Sequence, residues 1–405
     1  MTQTPLIFRK GLDLKHEVAQ VLADSYHSDL VAAIKEADYR YESGRLTLYL
    51  AREFGFCYGV DRAVDYAYQT RKRFPDRTVY LTGEIIHNPH VNDQIRAQGI
   101  RFLSDPGESF DFLTPADVVI LPAFGITIDL LESLVERGCT LVDTTCGSVL
   151  NVWKNVKRYS AEGFTSIIHG KYWHEETRAT ASQAYQSGMG HFLVVLDRDE
   201  AATVCDYIRH GGDRSRFSAT FARASSPGFD PDVHLERIGC ANQTTMLSSE
   251  SLEIGEMFRQ VISERYGDAS LQDRFRAFDT ICSATQDRQD AILRLLDERR
   301  LDMMIVLGGF NSSNTCNLAR ICADRVPTFH IADPEGLVST EEIRHKPIHN
   351  KQEVTTQGWL PAGNLAIGLT SGASTPDNLV EAVIRRLERL VQPVLGRPKT
   401  TQIQP

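Results

Sequence analysis

The pattern Asp-Thr-x-Cys occurs twice, as DTTC ending at Cys146 and as DTIC ending at Cys282. A short apolar run precedes each motif and an amphipathic stretch follows it. Val149, Leu150, Val152, Trp153 and Val156 form one helical face after Cys146; Ala284, Ala291, Ile292, Leu295 and Leu296 do the same after Cys282. LTLYLAREFGFCYGVDRAVDYAY repeats the plan: a strand, Cys57, then a helix marked by Val60, Ala63, Val64 and Ala67. Such strand–Cys–helix junctions predict thiols at the carboxyl edges of α/β sheets, where these sheets bind ligands. The helix N-termini are expected to favour thiolate over thiol. Convergent thiolates from Cys57, Cys146 and Cys282 suit a [4Fe–4S] cluster with one open iron, or zinc with an open position. Spacing alone leaves both open, and any one cysteine is as readily a buried thiol. Cys139, Cys205, Cys240, Cys316 and Cys322 lack the shared setting and are read as buried thiols.

Polar residues gather at other strand ends. EIIHNPHVN carries His87 and His90, and IIHGKYWHEETRAT carries His169, His174, Glu175 and Glu176. Histidine and carboxylate in that position suit anion binding and proton transfer, although glutamate in a first helical turn needs no further reason. VLGGFNSSNTCNLARIC reads as strand, Gly-rich turn and a helix starting near Ser312, Ser313 and Asn314. IGLTSGASTPDNLVEAV repeats this, with Ser374 ahead of a helix at Pro376. These junctions offer N–H groups and hydroxyls to phosphate, while Ser and Asn are also ordinary caps. CANQTTMLS adds Thr244 and Thr245. Neither Gly-rich turn matches a Walker A or a dinucleotide fingerprint.

The elements that must hold these residues alternate. Strands are expected at 46–51, 79–85, 118–123, 140–144, 165–169, 192–197, 237–242, 303–308, 328–332 and 365–370, with amphipathic stretches between most of them. The order predicts an α/β fold with largely parallel sheets. Residues 1–45 read as a mostly helical extension on the first domain, 211–236 as a long loop, and the chain from Pro393 as a loose tail. A length of 405 residues fits two or three domains. The composition, 42% hydrophobic and 24% charged, is that of a soluble globular protein, with no apolar run long enough to span a bilayer. A net charge of −9 argues against nucleic acid as the main partner. The N-terminus has neither a signal core nor a transit-peptide composition, which points to a cytoplasmic protein.

Taken together, GFCYGVDRA, IIHNPH, DTTC, HEE with T-x-x-T, NQTT, DTICSATQDRQ, NSSN and SGASTPD resemble the 4-hydroxy-3-methylbut-2-enyl diphosphate reductase (LytB/IspH) family. The likeness runs from about Leu48 to about Leu390, and the long N-terminus and PAFG look like the cyanobacterial and plastid branch. The resemblance implies three pseudo-equivalent α/β domains in a trefoil around a central [4Fe–4S] cluster, one per chain, held by Cys57, Cys146 and Cys282. The corresponding segments are 1–45 (extension), 46–145, 146–279 and 280–392 (domains) and 393–405 (tail). It implies reductive dehydroxylation of an allylic diphosphate to isopentenyl and dimethylallyl diphosphate. His87, His174, Ser312, Ser313, Asn314 and Ser374 match the residues that grip the diphosphate. Thr244 matches a threonine that positions substrate and water, with Thr245 beside it. Glu176 matches the proton-delivering glutamate, and Glu175 fills the intervening place. A ferredoxin-type electron donor and a monomer or homodimer go with this assignment. One position departs: where many bacterial members have A-H-G, this chain has Ala123, Phe124 and Gly125, and Phe124 cannot donate to phosphate. His90 is a candidate to compensate. The rival readings are a quinolinate synthase-like dehydratase and a non-catalytic iron–sulfur redox sensor. NSSN and SGAST speak against the first, and the lack of a basic nucleic-acid-binding segment speaks against the second.

Overall fold

Several strands are apolar along their whole length. Val118–Leu121 and Met303–Leu307 are buried at every position, so both faces of their sheets are covered. The computed structural model describes residues 6–391 apart from Met189, Asp279 and Lys351. It contains three larger sheets, parallel but for one edge strand, and a small hairpin. The first sheet orders Ile7–Phe8, Thr140–Asp143, Val118–Leu121, Val79–Leu81 and Arg101–Phe102. The second orders Phe275–Ala277, Ile238–Asn242, Thr165–His169 and His191–Val195. The third orders Thr328–Ile331, Met303–Leu307, Leu365–Ser371, Leu46–Leu50 and the antiparallel edge Arg40–Ser43.

The cysteines mark the places where the chain changes sheet. Leu46–Leu50 lies in the third sheet, but the helix after Cys57, Tyr58–Arg73, buries Val60, Ala63, Val64 and Ala67 against Val79, Leu81 and Val118 of the first. Thr140–Asp143 lies in the first sheet, while the helix after Cys146, Gly147–Ala161, packs Val152 and Val156 on Ala241 of the second. Phe275–Ala277 lies in the second, and the helix after Cys282, Ser283–Glu298, packs Ala291, Ile292 and Leu295 on Met304 and Val306 of the third. From Leu46 onward the path is therefore cyclic, and each of these three crossings passes through one cysteine; the earlier passage from Ile7–Phe8 to Arg40–Ser43 does not.

The Asp-Thr-x-Cys repeat has a local explanation. Thr144 Oγ1 donates to Leu121 O at 2.6 Å, and Thr280 Oγ1 accepts from Asn242 N at 2.7 Å. In both cases the threonine ties the cysteine turn to the end of the adjacent strand. Asp143 Oδ1 accepts from the N–H and the hydroxyl of Thr145, closing the first turn. Its counterpart Asp279 lies outside the described residues.

Some expectations need correction. Leu46–Leu50, expected to open the first unit, pairs with Leu365–Ser371 instead, because the β-strand register joins two Leu-rich segments far apart in sequence. The extension does not pack on one unit: Val18 and Tyr26 join the core of the first sheet, Val31 and Ile34 that of the third. Segment 211–236 holds the short helices Arg214–Thr220 and Pro231–His234, capped by Asp213 and Asp230. The hairpin Glu342–His345 with Val354–Gln357 was not expected. The tail from Pro393 lies outside the described residues.

Replacing Thr280 by Val keeps the shape and removes a buried link. A lost buried hydrogen bond costs about 1–3 kcal/mol, so Thr280→Val is expected to lower the anaerobic thermal midpoint measurably. An unchanged midpoint would mean that the turn holds its register without the threonine.

Candidate active site

A cavity of about 710 Å³, counting its open mouth, lies where the crossings meet, and Cys57, Cys146 and Cys282 are all in its wall. Each caps the N-terminus of its helix in an extended conformation. Gly59 leaves the room: a Cβ there would stand 2.6 Å from Cys146 Sγ and 4.0 Å from Cys57 Sγ. Burial pushes the Cys57 thiol up, opposed by the N–H of Val60 and the charge of Arg288, and pushes Cys282 up to about 11. Desolvation thus outweighs the expected helix-end preference for thiolate at these two residues, and metal uptake must release their protons.

The residues present fit a polynuclear anionic centre. Arg288 is buried, donates to the carbonyls of Gly55 and Ala284 at 2.7 Å each, and keeps its Nε unpartnered. Three thiolates on one zinc would sit roughly 3.8 Å apart, given bonds of about 2.3 Å. Among the described residues the ligand-type group within 4.8 Å is His87, His174 and Glu175, so the three sulfurs are spread wider than a single zinc would draw them.

That histidine group reads differently from a metal site. His174 Nδ1 accepts from the N–H of Glu176 at 3.1 Å, so in the neutral ring the proton is on Nε2. Nε2–H then points at His87 Nε2, 3.2 Å away, and His87 Nδ1–H donates to Glu84 Oε2 at 2.8 Å. Burial, then His87 and Lys171, hold His174 down at about 3, which keeps it neutral. A metal on His174 Nε2 would require an imidazolate unless the cap on Glu176 broke.

Glu176 and Glu175 begin the helix Glu175–Ala184 but face different surroundings. Glu176 is 3% exposed, and its Oε1 accepts from Thr244 N–H at 2.6 Å. Glu175 has a side chain 54% exposed. Burial pushes the Glu176 carboxyl up to about 7, against the hydrogen bonds from Thr244. Thr244 in turn accepts from the Cys282 N–H at 3.2 Å, so acid, threonine and cysteine are adjacent.

The opposite wall carries neutral donors. Asn314 Oδ1 accepts from Ala373 N–H at 2.9 Å, which leaves Nδ2 buried and without a partner at the cavity. Ser312 Oγ accepts from Thr315 N and Thr315 Oγ1, so its own proton is free. Ser313, Thr245 and Ser374, whose hydroxyl donates to His87 O at 3.3 Å, complete this side, and Ser312 caps the helix Ser313–Ala323. Phe124 lies against His87, ring centroids 4.9 Å apart and nearly parallel, and adds no donor. His90 is absent from the wall; its buried Nε2 has no partner, so it does not stand in at Phe124.

Residues 48–388 match the LytB protein family profile.

The chain belongs to the LytB family.

It is 50% identical over 396 residues to the 4-hydroxy-3-methylbut-2-enyl diphosphate reductase of Gloeobacter violaceus, covering 96% of this chain and 93% of that one. It is 48% identical over 384 residues to the enzyme of the same name from Picosynechococcus, covering 94% and 93%. The fold resembles a solved (E)-4-hydroxy-3-methyl-but-2-enyl diphosphate reductase with a TM-score of 0.52 and 26% identity, over 84% of this chain and 99% of that one. A Plasmodium falciparum reductase shares the fold with a TM-score of 0.62 at 22% identity, over 86% and 88%.

In this LytB-family chain the three cysteines and the residues matched to substrate binding and proton delivery line this cavity, whereas the candidates His90, His169 and Glu175 do not. Sequence reasoning passed over Gln243, Arg288, Glu84 and Lys171. All four lay inside quoted motifs, but an amide hub, a buried cation and their like are recognisable only once the partners from other sheets are in place.

The Glu176 shift sets a stability profile. Its folded value lies above its unfolded one, so ionisation favours the unfolded chain. Stability is lost as pH rises from about 4.5 towards about 7 and is level above that. Glu176→Gln keeps an acceptor for Thr244 and removes the ionisation. Its stability gain over the parent should be small at pH 5 and reach on the order of 3 kcal/mol at pH 8. Equal thermal midpoints for the two proteins at both pH values would contradict the buried, raised carboxyl.

Proposed function

We propose that this chain reduces (E)-4-hydroxy-3-methylbut-2-enyl diphosphate to isopentenyl and dimethylallyl diphosphate, with a [4Fe–4S] cluster on Cys57, Cys146 and Cys282. The observation that carries this reading is one cavity with three convergent thiols on one side and preset neutral donors on the other. When bound, such a cluster supplies single electrons and a Lewis-acidic metal. The reaction takes two electrons and two protons, breaks the allylic C–O bond and releases water.

The chain's own residues bind and orient the substrate. Asn314 Nδ2, the free protons of Ser312 and Ser313, Ser374 and the N-terminus of the helix Ser313–Ala323 form an anion seat. His87 and His174 flank it. The buried Glu176, its carboxyl pushed up to about 7, is the proton source at the hydroxyl end, held in place by the N–H of Thr244. Apolar wall groups such as Val60, Val149, Ala284 and Phe124 keep water away from the carbon chain. The donor is a one-electron carrier of the ferredoxin type, in keeping with the lack of a dinucleotide fingerprint, and the protein works in the cytoplasm. Among the described residues no helix is long and apolar enough to cross a membrane.

An anaerobic assay with reduced dye, the allylic diphosphate and product analysis tests the reading: both products are expected, and binding without turnover would overturn it. Cys57→Ser, Cys146→Ser and Cys282→Ser should each lose the visible cluster absorption, while Cys205→Ser, buried within the second sheet's core, keeps it. A full cluster in Cys146→Ser would remove that ligand from the set. Proton delivery by a positioned side chain is worth about 10²–10⁴ in rate. Glu176→Gln should therefore lose most turnover with its cluster intact, and Glu175→Gln should stay within a few-fold of the parent. Near-normal rates in both would take the glutamate out of the mechanism.

A further inference from the structure

Lys171 lies between the strand Thr165–His169 and the helix Glu175–Ala184. Its Nζ donates to Ser313 Oγ at 2.9 Å, reaching across 142 residues of sequence. Gln243 Nε2 reaches the same oxygen at 3.2 Å. The Gln243 amide has one possible orientation, because its other end accepts the backbone N–H of Lys171 at 3.2 Å and the Thr177 hydroxyl at 3.1 Å. A hydroxyl has two lone pairs and one proton. Lys171 and Gln243 occupy both lone pairs of Ser313, so this hydroxyl at the cavity wall keeps its own proton for a further acceptor.

Among the described residues no carboxylate forms an ion pair with Lys171. Its titratable neighbours are Cys316 and Lys346, and its field reaches His174. Burial pushes the ammonium below the usual lysine range, with the second lysine adding to this. Lys346 itself donates to Phe310 O at 3.0 Å. A partly dry cation beside another cation is costly unless an anion arrives. Phe124 lines the same cavity, its ring stacked on His87, and offers no donor.

We propose that Lys171 is a positioning residue of the diphosphate seat: through Ser313 it fixes a donor for the phosphate, and its ammonium adds positive charge behind a seat whose other donors are neutral. The inference rests on the diphosphate reading above and adds a residue to it. The empty seat carries the cost of the unpaired ammonium, and a bound diphosphate removes that cost.

The signs of two effects separate this from a packing role. Lys171→Met keeps most of the apolar stem and removes the charge. In the anaerobic holoenzyme its ligand-free thermal midpoint should equal or exceed the parent's. Calorimetric titration with inorganic diphosphate should show affinity about tenfold or more weaker, as for a lost hydrogen bond to a charged group. KM for the allylic diphosphate should rise by a similar factor, with kcat within a few-fold and the visible absorption unchanged. Lys171→Arg keeps the charge and should stay within a few-fold of the parent in affinity. Unchanged affinity in Lys171→Met, a lowered ligand-free midpoint, failure of that variant to fold, or an equal loss in Lys171→Arg would each overturn the proposal. If the parent itself neither bound inorganic diphosphate nor turned over the allylic diphosphate, the functional reading would fail, and this inference with it.

Discussion

Each cavity cysteine is pinned by the same backbone hydrogen bond. The N–H of Cys57 is donated to Ala373 O, that of Cys146 to Ala123 O and that of Cys282 to Thr244 O, at 3.1, 2.8 and 3.2 Å. Every acceptor lies two residues past the end of the neighbouring strand, which finishes at Ser371, Leu121 or Asn242. The bond sets how far each thiol projects from its sheet edge. Because the helix that follows packs on the next sheet, it also sets how the sheets meet. Cavity, cyclic chain path and thiol positions are thus one constraint. A shift at any one junction would move a sulfur and a sheet together.

The interior built this way is buried and short of charge balance. Desolvation raises Cys57, Cys282 and Glu176 alike, so the two thiols favour their protons at pH 7 and the carboxyl titrates close to it. Meanwhile Arg288 Nε and Asn314 Nδ2 are buried without a partner, and Asn314 lines the cavity where an anion would sit. Donors fixed in advance in a low-dielectric site interact strongly with charge and need no reorganisation when it arrives. The neutral His87–His174 pair, ordered by Glu84 at one end and the Glu176 N–H at the other, belongs to the same preset wall.

Much of this was legible in the chain. Strand–Cys–helix periodicity located Cys57, Cys146 and Cys282 at helix caps, and the alternation of elements gave parallel sheets. The ownership of Leu46–Leu50 was not legible, because a parallel strand pairs with a segment hundreds of residues away and local pattern carries no partner information. The thiol protonation was misjudged for a similar reason: helix-end dipoles are read from sequence neighbours, whereas burial is a tertiary quantity. The choice of Glu176 over Glu175 came from resemblance, and burial supplies the physical difference between them. Gln243 escaped because its role lies in fixing the protons of Thr245 and Ser313, and Ser313 belongs to a different sheet's loop.

The central claim is that three thiols from three sheets hold one cluster and leave one metal position free. Mössbauer spectroscopy of protein reconstituted with iron-57 tests it most directly. A single iron site with parameters distinct from the other three is predicted, and adding the allylic diphosphate should change that site alone. Four equivalent irons, indifferent to substrate, or a stable zinc-only protein that turns over would contradict the account.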